Sequence, residues 1–177
     1  MKNMKWLNMK WQVAARLAVN SIVLVGLLTA CDGSPLGSAS VAPNSNFVLL
    51  DASVMNTSDL KGKVTLVNFW ATSCTTCIAE MPKMISTYNQ YRPKGFELVA
   101  VAMAYDPPSY VVNYAQTRQL PFKVALDNTG KIAKDWGDVR LTPTTYLLDK
   151  QGLIVKRYVG EPDFTELHRL IERLLAA

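Results

Sequence analysis

Cys74 and Cys77, within "FWATSCTTCIAE" at residues 69–80, are the side chains in this sequence best suited to chemistry. Two thiols separated by two residues serve half of a metal site, a small structural staple or a redox couple. Zinc takes about four ligands, usually from paired motifs. The sequence has no second CxxC, and His168 is its single histidine. A staple across so short a loop stabilises little, since the gain grows with loop length and is ~3 kcal/mol for about 15 residues. A redox couple has a physical mechanism: a cysteine at a helix start meets unpaired backbone N–H groups at the positive end of the dipole, which favours thiolate. CxxC thiols so placed titrate at roughly 3.5 to 7.5 instead of about 8.5. Cys77, one helical turn on, can attack a mixed disulfide formed at Cys74. Cys74 is therefore the expected exposed nucleophile and Cys77 the more buried resolving thiol.

These roles need a strand that ends just before Cys74 and a helix that begins there. "VTLVNFW" (Val64–Trp70) reads as a buried strand by its β-branched and aromatic content, and a helix is expected over about 74–91. Upstream, "FVLLDASVMNTSDLKGK" reads as two short strands and a turn. Downstream come a strand at 96–103, a helix at 109–119 opened by "DPPS", a short strand at 122–126 and a short helix around 131–136. Strands at Thr144–Leu148 and Leu153–Val159, separated by "DKQG", suggest a hairpin. An amphipathic helix over 163–176 closes the chain, with Asp163 as N-cap and Glu166 completing a capping box. Such alternation with a terminal hairpin implies a mixed sheet flanked by helices, the α/β class.

The first thirty residues read differently. Lys2, Lys5, Lys10 and Arg16 form a basic segment without acids, followed by the apolar run "LAVNSIVLVGLLTA" at 17–30. A spanning helix needs about 20 apolar residues, so this run fits a secretion signal. It ends at "LLTACDG", which resembles the lipobox of bacterial lipoproteins. That likeness implies cleavage before Cys31, lipidation of Cys31, and, through Asp32, retention at the inner membrane. Residues 32–46 have the Ser, Gly, Pro and Asn composition of a flexible tether. Of the 19 basic and 14 acidic residues, four basic ones and no acids precede Cys31, leaving 15 against 14. The processed chain is nearly neutral, which gives no warrant for nucleic-acid binding. With Cys31 assigned to lipid, one cysteine pair remains for an oxidising compartment.

"GKVTLVNFWATSCTTCIAEMP", together with the later "TPTTYLLD", resembles the TlpA/ResA-like family of membrane-tethered thiol-disulfide oxidoreductases. The likeness runs from about Phe47 to the C-terminus. It implies a thioredoxin fold over 47–177, with an N-terminal strand extension and an inserted strand and helix over roughly 96–119. Trp70 matches the tryptophan of the family's "NFWA" run, a substrate-site residue that also packs. Pro143 matches the cis-proline opposite the CxxC, and Thr142 before it would present its backbone to an extended substrate. Many thioredoxins bury an aspartate on the strand before the motif, whereas this chain has Asn68, which takes no proton. Glu80 stacks one turn beyond Cys77 at the spacing of the family's glutamate, and the expected role is to handle the Cys77 proton, with a solvated surface carboxylate as the alternative. Pro82 is expected to kink the helix. Ser73 replaces the tryptophan many relatives carry, Thr144 replaces the glutamate of the cytochrome-maturation branch, and the Thr75–Thr76 pair adds no cation between the cysteines, which favours a reductant. His168 is expected at the surface without a chemical role.

The function expected is a monomeric, periplasmic thiol-disulfide oxidoreductase anchored to the inner membrane. It would reduce protein disulfides, be re-reduced by a membrane electron donor, and need no bound cofactor or metal. Two other classes stay open. A peroxiredoxin-like thiol peroxidase shares this fold, although the PxxxTxxC arrangement is missing. A Cu(I)-binding metallochaperone would use the dithiol as a soft ligand pair.

Overall fold

The structure, a computed structural model, describes residues 40–177. The expected signal peptide, Cys31 and residues 32–39 lie outside the described residues. The chain forms β1 (Ser40–Val41), β2 (Asn46–Leu49), β3 (Val54–Asn56), β4 (Val64–Trp70), α1 (Thr75–Tyr91), β5 (Phe96–Ala102), α2 (Pro108–Thr117), β6 (Lys123–Leu126), α3 (Lys131–Asp135), β7 (Thr144–Leu148), β8 (Leu153–Val159) and α4 (Phe164–Ala176). The strands make one mixed sheet in the order β1-β8-β7-β4-β5-β6-β2-β3. β4 runs parallel to β5 and antiparallel to β7, so the strand that leads into the CxxC is central.

Side chains alternate across a strand, so each strand feeds two cores. Val64, Leu66 and Trp70 of β4, with Leu98 and Val124, lie under Met81 and Met84 of α1, Val111 of α2, and Leu167 and Ile171 of α4. Val67 and Phe69, with Val99, Val101 and Leu148, face α3, Trp136 and the N-terminal residues Phe47 and Met55. Both faces are covered, which is why β4 and β5 are buried along their whole length and read as nearly unbroken apolar runs. Together these layers make a thioredoxin-like α/β fold, as the sequence implies. The strand expected to belong to an insert, β5, lies inside the sheet between β4 and β6.

Three expectations change. First, residues 40–46 join the fold instead of the tether. β1 pairs with β8 at Ser40↔Ile154, Ala42 donates its N–H to Gly152 O at 3.0 Å, and Trp136 Nε1 donates to Ser45 Oγ at 3.0 Å. Their linker-like composition hides this because the bonds are mostly backbone and need no apolar pattern. Second, only half of the capping box forms. Asp163 Oδ1 accepts from Thr165 N and Glu166 N, while Glu166 lies 3.5 Å from Lys156 Nζ. Third, His168 sits in the α1–α4 interface, its Nε2 2.8 Å from Thr87 Oγ1 and its ring against Tyr91 and Phe164. α1 continues through Pro82.

Candidate active site

β4 ends at Trp70, and Cys74 N–H donates to Ala71 O at 3.1 Å, closing a tight turn before α1. Cys74 is the N-cap residue of α1 with an extended backbone, and its Sγ accepts the Cys77 N–H at 3.1 Å. The sulfur thus occupies the place where a serine or aspartate oxygen would cap a helix, and a donor aimed at it favours the thiolate. Cys74 is partly exposed, whereas Cys77 is fully buried against the core. The two sulfurs are joined as a disulfide. A partly exposed cysteine at a helix start bonded to a buried one a turn later is an arrangement in which the first thiol can meet another protein's disulfide and the second can attack the resulting bond.

The Thr142–Pro143 peptide is cis. The antiparallel register pairs Thr144 with Phe69, so residues 142–143 lie at the end of β4 from which the turn to Cys74 departs. Pro143 is buried and Thr142 half-buried, with Thr142 Oγ1 3.2 Å from the Tyr105 hydroxyl. Tyr105 and Leu141 beside them are exposed. Trp70 has no exposed surface; it packs against Tyr114 with ring centroids 5.4 Å apart and the rings tilted by 52°. The packing role is the one this position supports, and contact with a substrate would need the ring uncovered.

Glu80 is no surface carboxylate: 1% of it is exposed. Because side chains alternate along β4, Asn68 shares the α1-facing side with Leu66 and Trp70. There its Nδ2 donates to Glu80 Oε1 at 3.1 Å and to Thr145 Oγ1 at 2.9 Å. Among the described residues, Glu80 Oε2 has no hydrogen-bond partner. Burial pushes the Glu80 carboxyl up to about 7; the bond from Asn68 opposes the rise, the Glu161 carboxylate adds to it and the Lys83 ammonium opposes it. Asn68 therefore holds the Glu80 carboxyl in place.

Asp106 escaped the sequence reading. Standing before Pro107 and Pro108, it resembles a helix opener, yet its carboxylate takes the backbone N–H and the hydroxyl of Thr72, each at 2.6 Å. No local signal reveals a bond between residues 34 apart.

The Redoxin family model matches residues 37–171. The thiol-disulfide oxidoreductase ResA of Bacillus thuringiensis subsp. konkukian is 35% identical over 133 residues, covering 75% of this chain and 76% of that one. ResA of Bacillus subtilis is 35% identical over 137 residues, covering 75% of each. Among solved structures, a Neisseria meningitidis protein described as a thioredoxin superimposes with a TM-score of 0.71 at 41% identity, covering 76% of this chain and 90% of that one. A Chlorobium tepidum protein described as the thiol:disulfide interchange protein DsbE superimposes with a TM-score of 0.69 at 29% identity, covering 79% and 99%. A buried–exposed cysteine pair at a helix start, in a chain this similar to such enzymes over most of its length, makes this protein a thiol-disulfide oxidoreductase of the Redoxin family, on its ResA/TlpA-like branch.

Proposed function

We propose that the enzyme is a periplasmic reductase of protein disulfides, held at the inner membrane through lipidated Cys31. The Cys74 thiolate attacks one sulfur of a substrate disulfide, forming a mixed disulfide and releasing the other sulfur as a thiolate that takes up a proton. Cys77 then loses its proton and attacks Cys74 Sγ, which frees the second substrate thiolate and leaves the Cys74–Cys77 disulfide. Two electrons pass to the substrate, and a membrane dithiol donor returns them. No bound cofactor enters these steps, and a monomer suffices for them. Thr142 and Pro143 receive an extended substrate segment, with Trp70 supporting that end of β4 from beneath.

Glu80 accepts the Cys77 proton. It follows Cys77 by three residues on α1, both side chains are buried, and a carboxyl raised to about 7 is better matched to a thiol near 8.5 than an ordinary carboxylate. The observation that carries the whole reading is the partly exposed Cys74 capping α1 and bonded to the buried Cys77. The absence of a cation between the cysteines supports a reductant.

Cys77→Ser should accumulate a mixed disulfide between Cys74 and a model protein disulfide, and Cys74→Ser should accumulate none. Trapping on Cys77 instead would reverse the roles. A reduction potential near about −270 mV supports a reductase, and one near about −120 mV would make the protein an oxidant. Mass spectrometry of the mature N-terminus tests the anchor, which an unmodified Cys31 would exclude.

A further inference from the structure

Asp106 is a buried carboxylate that the thiol chemistry leaves unused. It stands between β5 and α2, where an aspartate ordinarily caps the helix behind it. Here Pro107 is the N-cap residue of α2, and no side chain among the described residues caps that end. Both oxygens reach instead to the turn ahead of Cys74: Oδ2 accepts from Thr72 N–H and Oδ1 from Thr72 Oγ1–H, each at 2.6 Å. The Met103 N–H, donating to Trp70 O at 3.0 Å, ties the same two segments together. Thr72 lies inside the turn closed by Cys74 N–H and Ala71 O. These bonds therefore pin the whole connection between β4 and the nucleophile.

We propose that Asp106 is a positioning residue for the redox couple, clamping Thr72 so that the turn holds the Cys74 sulfur in place for Cys77. Cys77 is carried by the body of α1, but Cys74 is its cap and takes its position from the turn. When the dithiol closes, a turn already fixed loses little further conformational entropy. A loosened turn lets reduced Cys74 wander, so the disulfide closes less favourably and the potential rises. Hydrogen bonds to a carboxylate are roughly twice as strong as neutral ones, and burial keeps water from competing for them.

The test uses Asp106→Ala, Asp106→Asn and Thr72→Val in the full chain. Asn can keep the clamp without its charge, its Oδ1 accepting the Thr72 N–H and its amide donating to Thr72 Oγ1. Thr72→Val removes the hydroxyl bond alone, and it carries the test if Asp106→Ala does not fold. The folded proteins are equilibrated with oxidised and reduced dithiothreitol, which takes up the two electrons and two protons that closure releases. Asp106→Ala should weaken closure about tenfold, a rise of ~30 mV. Thr72→Val should shift the same way by less, and Asp106→Asn, whose neutral bonds are about half as strong as those of the carboxylate, should fall between the parent and Asp106→Ala. An unchanged potential in Asp106→Ala or Thr72→Val, or Asn behaving like Ala, overturns the role. A loss of stability alone would leave the potential of the folded protein where it was. The inference rests on Cys74 as the attacking thiol, which alkylation mapping tests separately. First labelling of Cys77 would refute that assignment, whereas first labelling of Cys74 with an unchanged potential would refute only the role of Asp106.

Discussion

Glu80→Gln separates the charge of this carboxyl from its place in the core. Glu80 is 1% exposed, and burial raises its pKa from 4.5 to about 7. The folded state thus holds the proton more tightly than the unfolded chain. Below about 4.5 both states are protonated and the preference for the native state is fully present. As pH rises toward about 7 the unfolded chain ionises first, so stability falls, and above about 7 the whole contribution has gone. At about 1.4 kcal/mol per pH unit, the rise from 4.5 to about 7 amounts to about 3 kcal/mol lost between pH 4 and pH 8. Gln mimics the protonated form and can still accept from Asn68, so the variant lacks this slope. Urea denaturation of the oxidised proteins across that range should show the variant gaining about 3 kcal/mol on the parent as pH rises. Parallel curves would refute the buried, raised carboxyl. In stopped-flow resolution of the mixed disulfide, the variant should be slower and lose the inflection near 7. An inflection that survives the substitution would remove Glu80 from proton transfer.

Other perturbations test the surroundings. Asn68→Ala removes the bond that opposes the effect of burial, so the Glu80 inflection should move upward. It also strands a partner on each side, a cost of about 1–3 kcal/mol measurable by denaturation. Asp127 Oδ1 and Oδ2 accept from Ile132 N at 3.1 Å and Ala133 N at 2.8 Å. Asp127→Ala should therefore cost about 1–2 kcal/mol in the urea midpoint, the usual loss for a helix cap. A chain starting at Phe47 loses the β1 ladder and the Ser45–Trp136 bond, and should be about 2 kcal/mol less stable than one starting at Ala39. Equal midpoints would return residues 40–46 to the tether.

The legible parts of the fold were those that depend on local pattern. β4 and β5 announce burial on both faces by unbroken apolar runs, and α4 shows its core stripe through Leu167 and Ile171. The "DKQG" turn gave the β7–β8 hairpin. The CxxC needed only its place between a strand end and a helix start. What stayed hidden depends on partners far along the chain: Thr72 with Asp106 across 34 residues, Thr87 with His168 across 81, Ser45 with Trp136 across 91. In each case a polar residue common in loops or on helix surfaces meets a partner that no periodicity points to. Tertiary contact alone turns these side chains inward.

Asn68 shows why such contacts matter for chemistry. Read alone, an asparagine in place of the aspartate many thioredoxins bury looks like the loss of a base. In the fold it stands 3.1 Å from Glu80 Oε1 and supplies a donor to the carboxylate. An aspartate at 68 would set two carboxyls at that distance in a buried site, where both cannot ionise and one must keep its proton as pH rises. An amide donor instead lowers the cost of ionising Glu80 while burial raises it, and the balance leaves the carboxyl at about 7. In the proposed mechanism the proton-handling group stands on the helix that carries Cys77 instead of on the strand, and the Asn68 amide lets a single buried carboxyl serve there.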